Sequence, residues 1–247
     1  MGQQVIEAVS AAPGLVAVAV VDALAAGETC AGLPLYRDAD ACFAAQSADV
    51  VIDFTNAEWT PVLARAAMAR GVRMVIGTTG LPQEFVDWLG RESSSRGVGV
   101  VLAANFAIGA VLMMHFAGLA APYFEAAEII ELHHDQKIDS PSGTAKATAE
   151  TMRAARARDF RHKESERETL PGARGAEYGG IAIHSVRLPG FVAHQEVIFG
   201  GLGQTLTIRH DTTGRDSFMP GVVYAATKVL ELKVLVVGLD RLMGLGS

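Results

Sequence analysis

The residues best suited to chemistry fall in one stretch, Glu131-Leu-His-His-Asp-Gln-Lys-Ile-Asp-Ser-Pro-Ser-Gly-Thr-Ala145. His133, His134 and Lys137 can supply protons and positive charge, and a histidine titrates near neutrality when nothing perturbs it. Ser142, Gly143 and Thr144 lead into a run to Arg158 made largely of good helix formers. A helix beginning there presents unpaired backbone N–H groups and the positive end of its dipole, a combination that favours anions. The plainer roles of the same residues are an N-cap and a Pro-Ser-Gly turn. Their co-occurrence with two histidines and a lysine favours a site for a small carboxylate-bearing substrate that must be protonated. Zinc is disfavoured, because neighbouring histidines on a strand point to opposite faces. We expect no metal.

The stretch needs elements to hold it. Ala126 to Leu132 reads as a strand entering from a core, so the order is strand, polar loop, helix. Upstream, Gln3 to Ala12 reads as a short helix, broken by Pro13-Gly14. Leu15 to Val21, Val50 to Asp53, Val72 to Ile76 and Val98 to Ala103 are apolar runs of strand length. Between them Asp38 to Gln46, Ala57 to Arg70 and Pro82 to Arg91 read as helices, and Ser93 to Arg96 as a polar connection. This alternation predicts an α/β fold with an open, doubly wound sheet that binds ligands at the carboxyl ends of its strands. Asp22, Asp53, Gly77 to Thr79 and Asn105 each follow a strand end. Asp22 stands where an acidic residue accepts the ribose 2′-OH of a dinucleotide.

Downstream, Asn105 to Ala121 reads as the helix that opens a second domain. The mixed-charge stretch Arg153 to Glu168 reads as a solvated helix end and loop. Ile181 to Leu188, Phe191 to Phe199 and Gln204 to Arg209 are strand-like, and with Ala126 to Leu132 predict a mixed sheet of four. Ser217 to Leu230 reads as a terminal helix.

Composition narrows the partners. The chain has 247 residues, half of them hydrophobic, and a net charge of −6 without a basic block, which argues against nucleic acid. An anionic substrate must then be drawn by local charge. Two cysteines give no disulfide framework, and no apolar run reaches the length of a membrane span. A cytoplasmic protein is expected.

The string Glu-Leu-His-His-x-x-Lys-x-Asp-x-Pro-Ser-Gly-Thr-Ala resembles the signature of the 4-hydroxy-tetrahydrodipicolinate reductase family, enzymes of the diaminopimelate route to lysine. Gly77-Thr-Thr-Gly80, Ala103-Ala-Asn-Phe-Ala-Ile-Gly109 and Val192-Ala-His-Gln-Glu-Val-Ile-Phe-Gly200 extend the resemblance over nearly the whole chain. It implies a Rossmann-like N-terminal domain over 1–106 and 217–247. It also implies an α+β substrate-binding and oligomerisation domain over 107–216, and association into a homotetramer. It implies NADH or NADPH as cofactor, with Gly77, Thr78, Thr79, Ala103, Ala104, Asn105 and Phe106 lining the nicotinamide side.

The implied substrate is a cyclic imine dicarboxylate, which takes a hydride and then a proton. His133 is the candidate acid, and Lys137 a stabiliser of the anionic intermediate and a second donor. His134 follows the family in contacting substrate, beside the amides of Ser142, Gly143 and Thr144. From the residues alone either histidine can face the ring, since a one-residue shift of register exchanges them. Asp22 with Ala23 beside it favours NADH, because a 2′-phosphate would meet a carboxylate.

The sequence departs from the pattern at its start. A dinucleotide fold opens with strand, glycine-rich turn and helix, and here Met1-Gly2-Gln3 resembles the tail of that turn. We expect the first strand and the phosphate-cradling glycines to be missing, with a start assigned inside the turn. The alternative is a cofactor-free remnant serving only as a dicarboxylate-binding or assembly subunit. A third reading, another nicotinamide-dependent reductase such as an amino-acid dehydrogenase, is opposed by the intact signature.

Overall fold

Strands buried on both faces need helices to cover them, and the N-terminal part of the chain alternates accordingly. The computed structural model describes residues 1–156, 158–162 and 167–246. Helix α1 spans Gly2–Ala11. Strands β1 (Val20–Val21), β2 (Thr29–Cys30) and β3 (Leu33–Tyr36) follow, then α2 (Ala39–Ala45), which is capped by the Asp38 side chain accepting from the Ala41 amide at 2.7 Å. Next come β4 (Val50–Asp53), α3 (Thr60–Ala69), β5 (Arg73–Ile76), α4 (Gln83–Arg96) and β6 (Val100–Leu102). The middle of the chain holds α5 (Ile108–Ala120), β7 (Ala126–His133), α6 (Gly143–Ala154), β8 (Ala176–Tyr178), β9 (Ile181–Arg187), β10 (Ala193–Gly201) and β11 (Gln204–Thr212). It closes with α7 (Met219–Lys228), β12 (Leu235–Val237) and α8 (Leu239–Leu242).

These elements form two compact units, Met1–Ile108 with Arg215–Ser247, and Gly109–Gly214. In the first, β12, β6, β5 and β4 lie side by side and parallel. Met74, Ile76, Val100 and Leu102 of this sheet pack with Ala64, Ala67 and Met68 of α3 and Phe85 and Leu89 of α4. The register pairs Asp53 with Ile76 and Ile76 with Leu102, so the three strands end level and deliver the residues that follow them to one edge.

The second unit carries a five-stranded mixed sheet in the order β11-β10-β7-β9-β8. Ala127, Ile129, Ile181, Ile183, Val197 and Phe199 form its covered face, beneath Ala145, Ala149 and Met152 of α6 and Ala117 of α5. The other face alternates apolar residues with ion pairs. Glu128 meets Arg174 and His184, while Arg209 bridges Glu196 and Asp211, and Asp211 also holds His194.

Four expectations need correction. Leu15 to Val21 is not one buried strand: only Val20–Val21 pairs, with β3, and Val16 is 81% exposed. The reason is that neither β1 nor β4 has a strand along its outer edge among the described residues, so the run lacks the ladder that would fix it. Ser93 to Arg96 is not a connection but the last turn of α4. Ser93 is buried and donates to the Val98 carbonyl at 2.6 Å, and Gly97 closes the helix in the left-handed conformation at φ 64°. The C-terminal sheet has five strands rather than four, since Ala176–Tyr178 also pairs with β9. Finally, β12 and α8 lie beyond the expected terminal helix, and β12 joins the parallel sheet beside β6. Residues 157 and 163–166 of the expected mixed-charge loop lie outside the described residues.

Close approach fixes one glycine in α7. A Cβ on Gly221 would overlap the Phe106 carbonyl, so Gly221→Ala is expected to cost about 1–3 kcal/mol through forced backbone displacement. Urea unfolding of the two proteins measures it, and an unchanged midpoint would contradict this packing.

Candidate functional site

Strand alternation decides which histidine faces the helix. Along β7 the buried positions are Ala127, Ile129 and Glu131, and His133 continues that face toward the start of α6. His134 lies just past the strand end, exposed. The two histidines therefore part at the point where the loop begins.

Glu131 organises this end of the sheet. It is fully buried, an environment that opposes its ionisation, yet hydrogen bonds from His133, Arg187 and Ser185 hold its carboxyl well below the usual range. Arg187, at the end of β9, grips it with both Nη atoms at 2.7 Å, a two-point fork. Each carboxylate oxygen then takes one further group. Oε1 accepts from the Ser142 amide at 3.1 Å, and Oε2 lies 2.5 Å from His133 Nδ1. An ionised carboxylate has only acceptors to offer, so His133 Nδ1 is the donor and Nε2 is the nitrogen left for a ligand. Beside His133 on β10 stands Ala193, a small neighbour.

The loop is tied to the same group. Arg187 Nη2 also donates to the Asp139 carbonyl at 2.9 Å, and Lys137 Nζ pairs with the Asp139 carboxylate at 2.5 Å. That contact lowers the Asp139 pKa. The cis Ser140-Pro141 bond leads into Ser142, whose hydroxyl caps α6 by accepting from the Ala145 amide at 3.1 Å. The amides of Gly143 and Thr144 have no partner among the described residues, and a Cβ on Gly143 would meet nothing within 4 Å. The first turn of α6 thus faces open space with two N–H groups available. Gln195, paired with Glu131 across the sheet, donates to Thr148 Oγ1 at 2.7 Å, and Thr148 donates to the Thr144 carbonyl at 2.8 Å. Helix α6 is therefore pinned from both neighbouring strands.

The first unit gathers its polar groups at the level ends of β4, β5 and β6. Buried Asp53 accepts from the Thr55 amide and hydroxyl at 2.9 and 2.6 Å, from Thr60 Oγ1 at 2.5 Å and from Thr78 Oγ1 at 3.3 Å. Its carbonyl takes the Gly77 amide at 2.8 Å. Gly77 leaves no room for a side chain, because a Cβ would overlap the Phe54 ring, which meets Phe106 edge-on at 5.4 Å. Thr78 is thus turned inward, and Thr79 and Ala104 are exposed. Ala103 and Phe106 are buried, and Asn105 folds its side chain onto the Ala107 amide at 2.8 Å. Asp22 accepts from the Leu24 and Ala25 amides at 2.9 and 3.1 Å.

The structure brings His133, Lys137, Ser142, Gly143 and Thr144 together around one loop. It brings Gly77, Thr78, Thr79, Ala103, Ala104, Asn105 and Phe106 together at one sheet edge, while Asp22 follows β1 of a different sheet in the same unit. Sequence reasoning assigned no role to Glu131, Arg187, Gln195 or Thr148, and for Asp53 it gave a place at a strand end without a function. A signal for Glu131 was present: a carboxylate two residues from His133 on a buried strand needs a cation. Its partner stands 56 residues away, beyond any local pattern.

A parallel sheet with turns at its level strand ends, in a chain whose second unit carries a mixed sheet, defines a Rossmann-like α/β protein. In fold alone the chain is similar to a probable dehydrogenase from Thermotoga maritima, with a TM-score of 0.63 at 12% identity over 99% of this chain and 90% of that one. Residues 1–106 match the family described as dihydrodipicolinate reductase, N-terminus, and residues 109–243 the corresponding C-terminus. The chain belongs to the dihydrodipicolinate reductase family. It is 54% identical to the 4-hydroxy-tetrahydrodipicolinate reductase of Geobacillus kaustophilus over 85% of this chain and 79% of the relative. With that of Shouchella clausii the identity is 47% over 98% and 95%. The dipicolinate-bound dihydrodipicolinate reductase from Paenisporosarcina sp. TG-14 superposes with a TM-score of 0.88 at 42% identity, covering 97% of this chain and 94% of that one.

The buried carboxylate makes stability pH-dependent. Unfolded, Glu131 takes a proton near its ordinary 4.5; folded, it does so only at much lower pH. Its contribution is therefore complete above the unfolded value and is lost as pH falls toward the folded one. Glu131→Gln is expected to be less stable near neutrality and to lose less stability between about pH 5 and pH 3. Urea midpoints across that range check this, and parallel slopes for the two proteins would contradict it.

Proposed function

We propose that this chain reduces 4-hydroxy-tetrahydrodipicolinate to tetrahydrodipicolinate with a nicotinamide cofactor, in the diaminopimelate route to lysine. The observation that carries the reading is His133 held by Glu131 beside the open start of α6, in a chain of this family. The solved relative from Paenisporosarcina is named as binding dipicolinate, a dicarboxylate. The Geobacillus, Shouchella and Paenisporosarcina relatives are all named as reductases, and the alternative of a cofactor-free binding or assembly subunit has no support from them.

The first unit fits the nicotinamide half of such a cofactor. The strand ends are level, Gly77 is bare where backbone must be approached closely, and Thr79 and Ala104 stand exposed beside it. Gly77, Thr78, Thr79, Ala103, Ala104, Asn105 and Phe106 would hold the ring, and Asp22 the adenosine ribose. When bound, the reduced nicotinamide supplies a hydride. On the second unit, the Gly143 and Thr144 amides at the α6 terminus, with Ser142 capping it, bind one substrate carboxylate. His134 contacts the substrate from the strand end. His133 Nε2 delivers the proton that the ring needs after reduction. Lys137 stabilises the anionic intermediate and acts as a second donor. Because Asp139 already holds Lys137, a substrate carboxylate must compete for it, which places Lys137 in the site only when an anion is present.

We extend the reading to a homotetramer in the cytoplasm. The sheet face opposite α6, with Ile130, Leu132 and Ile198 half-buried among ion pairs, is the surface best suited to a second copy.

His133→Ala is expected to lower kcat by about 10²–10⁴-fold with little change in substrate KM, as loss of a general acid does. Thr144→Ala, which keeps the amide but removes the hydroxyl beside it, should chiefly raise KM. Steady-state kinetics with substrate at fixed NADH measures both, and the reverse pattern would exchange their roles.

Asp22 sets the cofactor preference. A 2′-phosphate would be brought against its carboxylate, so kcat/KM is expected to be higher with NADH than with NADPH. Equal values, or a preference for NADPH, would remove Asp22 from that role.

A further inference from the structure

We infer that Glu131, clamped by Arg187, is a positioning residue for the proton transfer: it acts on that step through the His133 ring. This rests on the reading of His133 as the acid. Three observations carry it.

The first is the shape of the network. The two contacts to Arg187 at 2.7 Å neutralise the charge and leave further acceptor sites on both oxygens. Each oxygen carries a second donor from the proposed substrate site, the His133 ring or the Ser142 amide, and Ser185 of β9 adds another hydrogen bond to the carboxylate. The second is burial. Glu131 has no exposed surface, so it cannot touch substrate, and its negative charge is felt through its partners. The third is the consequence for His133. With Nδ1 donating to an ionised carboxylate, the ring is fixed in rotation and in tautomer, and Nε2 is the only nitrogen that can exchange a proton with a ligand. When Nε2 is protonated the ring is a cation facing Glu131 at 2.5 Å. When Nε2 has given its proton away, Nδ1 keeps its hydrogen and its bond. The proton therefore leaves from one nitrogen while the other stays anchored, and the electron pair of the former N–H bond remains on Nε2.

The other charged groups near His133 do not share this role. Arg187, its pair partner on β9, is committed to Glu131 and the Asp139 carbonyl, and Lys137 is committed to Asp139. On β10 the neighbour is Ala193, which carries no charge. Glu131 is the group in contact with the ring that can hold it as a donor.

The test is a double-mutant cycle. Wild type, Glu131→Gln, His133→Ala and the double variant are compared for kcat with NADH and substrate, and for dissociation of dipicolinate. Glutamine keeps the size of the side chain but has one accepting oxygen, its other terminal group being an NH2 that can only donate. Glu131→Gln is expected to lower kcat by about 10–100-fold in the wild-type background, the usual effect of losing a group that orients a functional histidine. In the His133→Ala background it is expected to change kcat by less than about threefold, because residues acting as one unit are not additive. A downfield Nδ1 proton resonance in the wild type should vanish in both single variants. The same fold-loss in both backgrounds would mean that Glu131 serves only the fold, and the proposal is overturned while His133 keeps its role. No loss of kcat in His133→Ala would overturn the acid assignment and the proposal with it. If Glu131→Gln does not fold, Glu131→Asp replaces it in the same cycle: the charge opposite Arg187 is kept, and the carboxylate is withdrawn from His133 by one methylene.

Discussion

A carboxylate with no exposed surface is the constraint on which the second unit depends. Removing Glu131 from water opposes its charge, and a buried ion survives only when its partners satisfy it on every side. Arg187 alone closes the charge account. The Ser142 amide and the His133 ring complete the oxygens, and in doing so they bring the end of β7, the start of α6 and the end of β9 to one point. Ordinary packing supplies the remainder, with Ala145, Ala149 and Met152 laid on Ile129, Val197 and Phe199. The apolar contacts settle that α6 lies on the sheet. The carboxylate settles where along the sheet its first turn stops.

The first unit obeys a different constraint. Its parallel strands are short and end level, so the polar residues after them fall in a row without needing long-range charge. Asp53 is the counterpart of Glu131 there, but its partners are hydroxyls and amides rather than a guanidinium. One unit thus fixes the His133 ring through a carboxylate held in an ion pair, and the other fixes a turn through hydrogen bonds from hydroxyls and amides.

Much of this was legible in the sequence, and what was not shares a cause. Val50 to Asp53 reads as a strand because four apolar-to-acidic positions end in a turn, and the strand has those bounds. The strand, loop and helix around His133 follow from local composition, and so does the N-cap at Ser142. Which histidine faces α6 was not legible, because it depends on the register set by β9 and β10. Ser93 was misread for a related reason: a serine looks solvated until the Val98 carbonyl that buries it is in view. Leu15 to Val21 failed in the opposite direction. Its composition demands a strand, but a strand exists only with a partner, and on one edge none is among the described residues. Arg187 and Gln195 were invisible as site residues since each reaches its partner across the sheet.

The hydroxyls around Asp53 have a consequence for binding. Thr55, Thr60 and Thr78 come from three separate segments and converge on one buried carboxylate, with Gly77 held beneath the Phe54 ring. The Gly-Thr-Thr turn is consequently shaped before any ligand arrives. Ordering a loop is one of the main costs of association, and in this turn that cost is met during folding. The exposed Thr79 sits on a preorganised platform, so the affinity contributed by this edge depends on what it touches and little on what must be frozen.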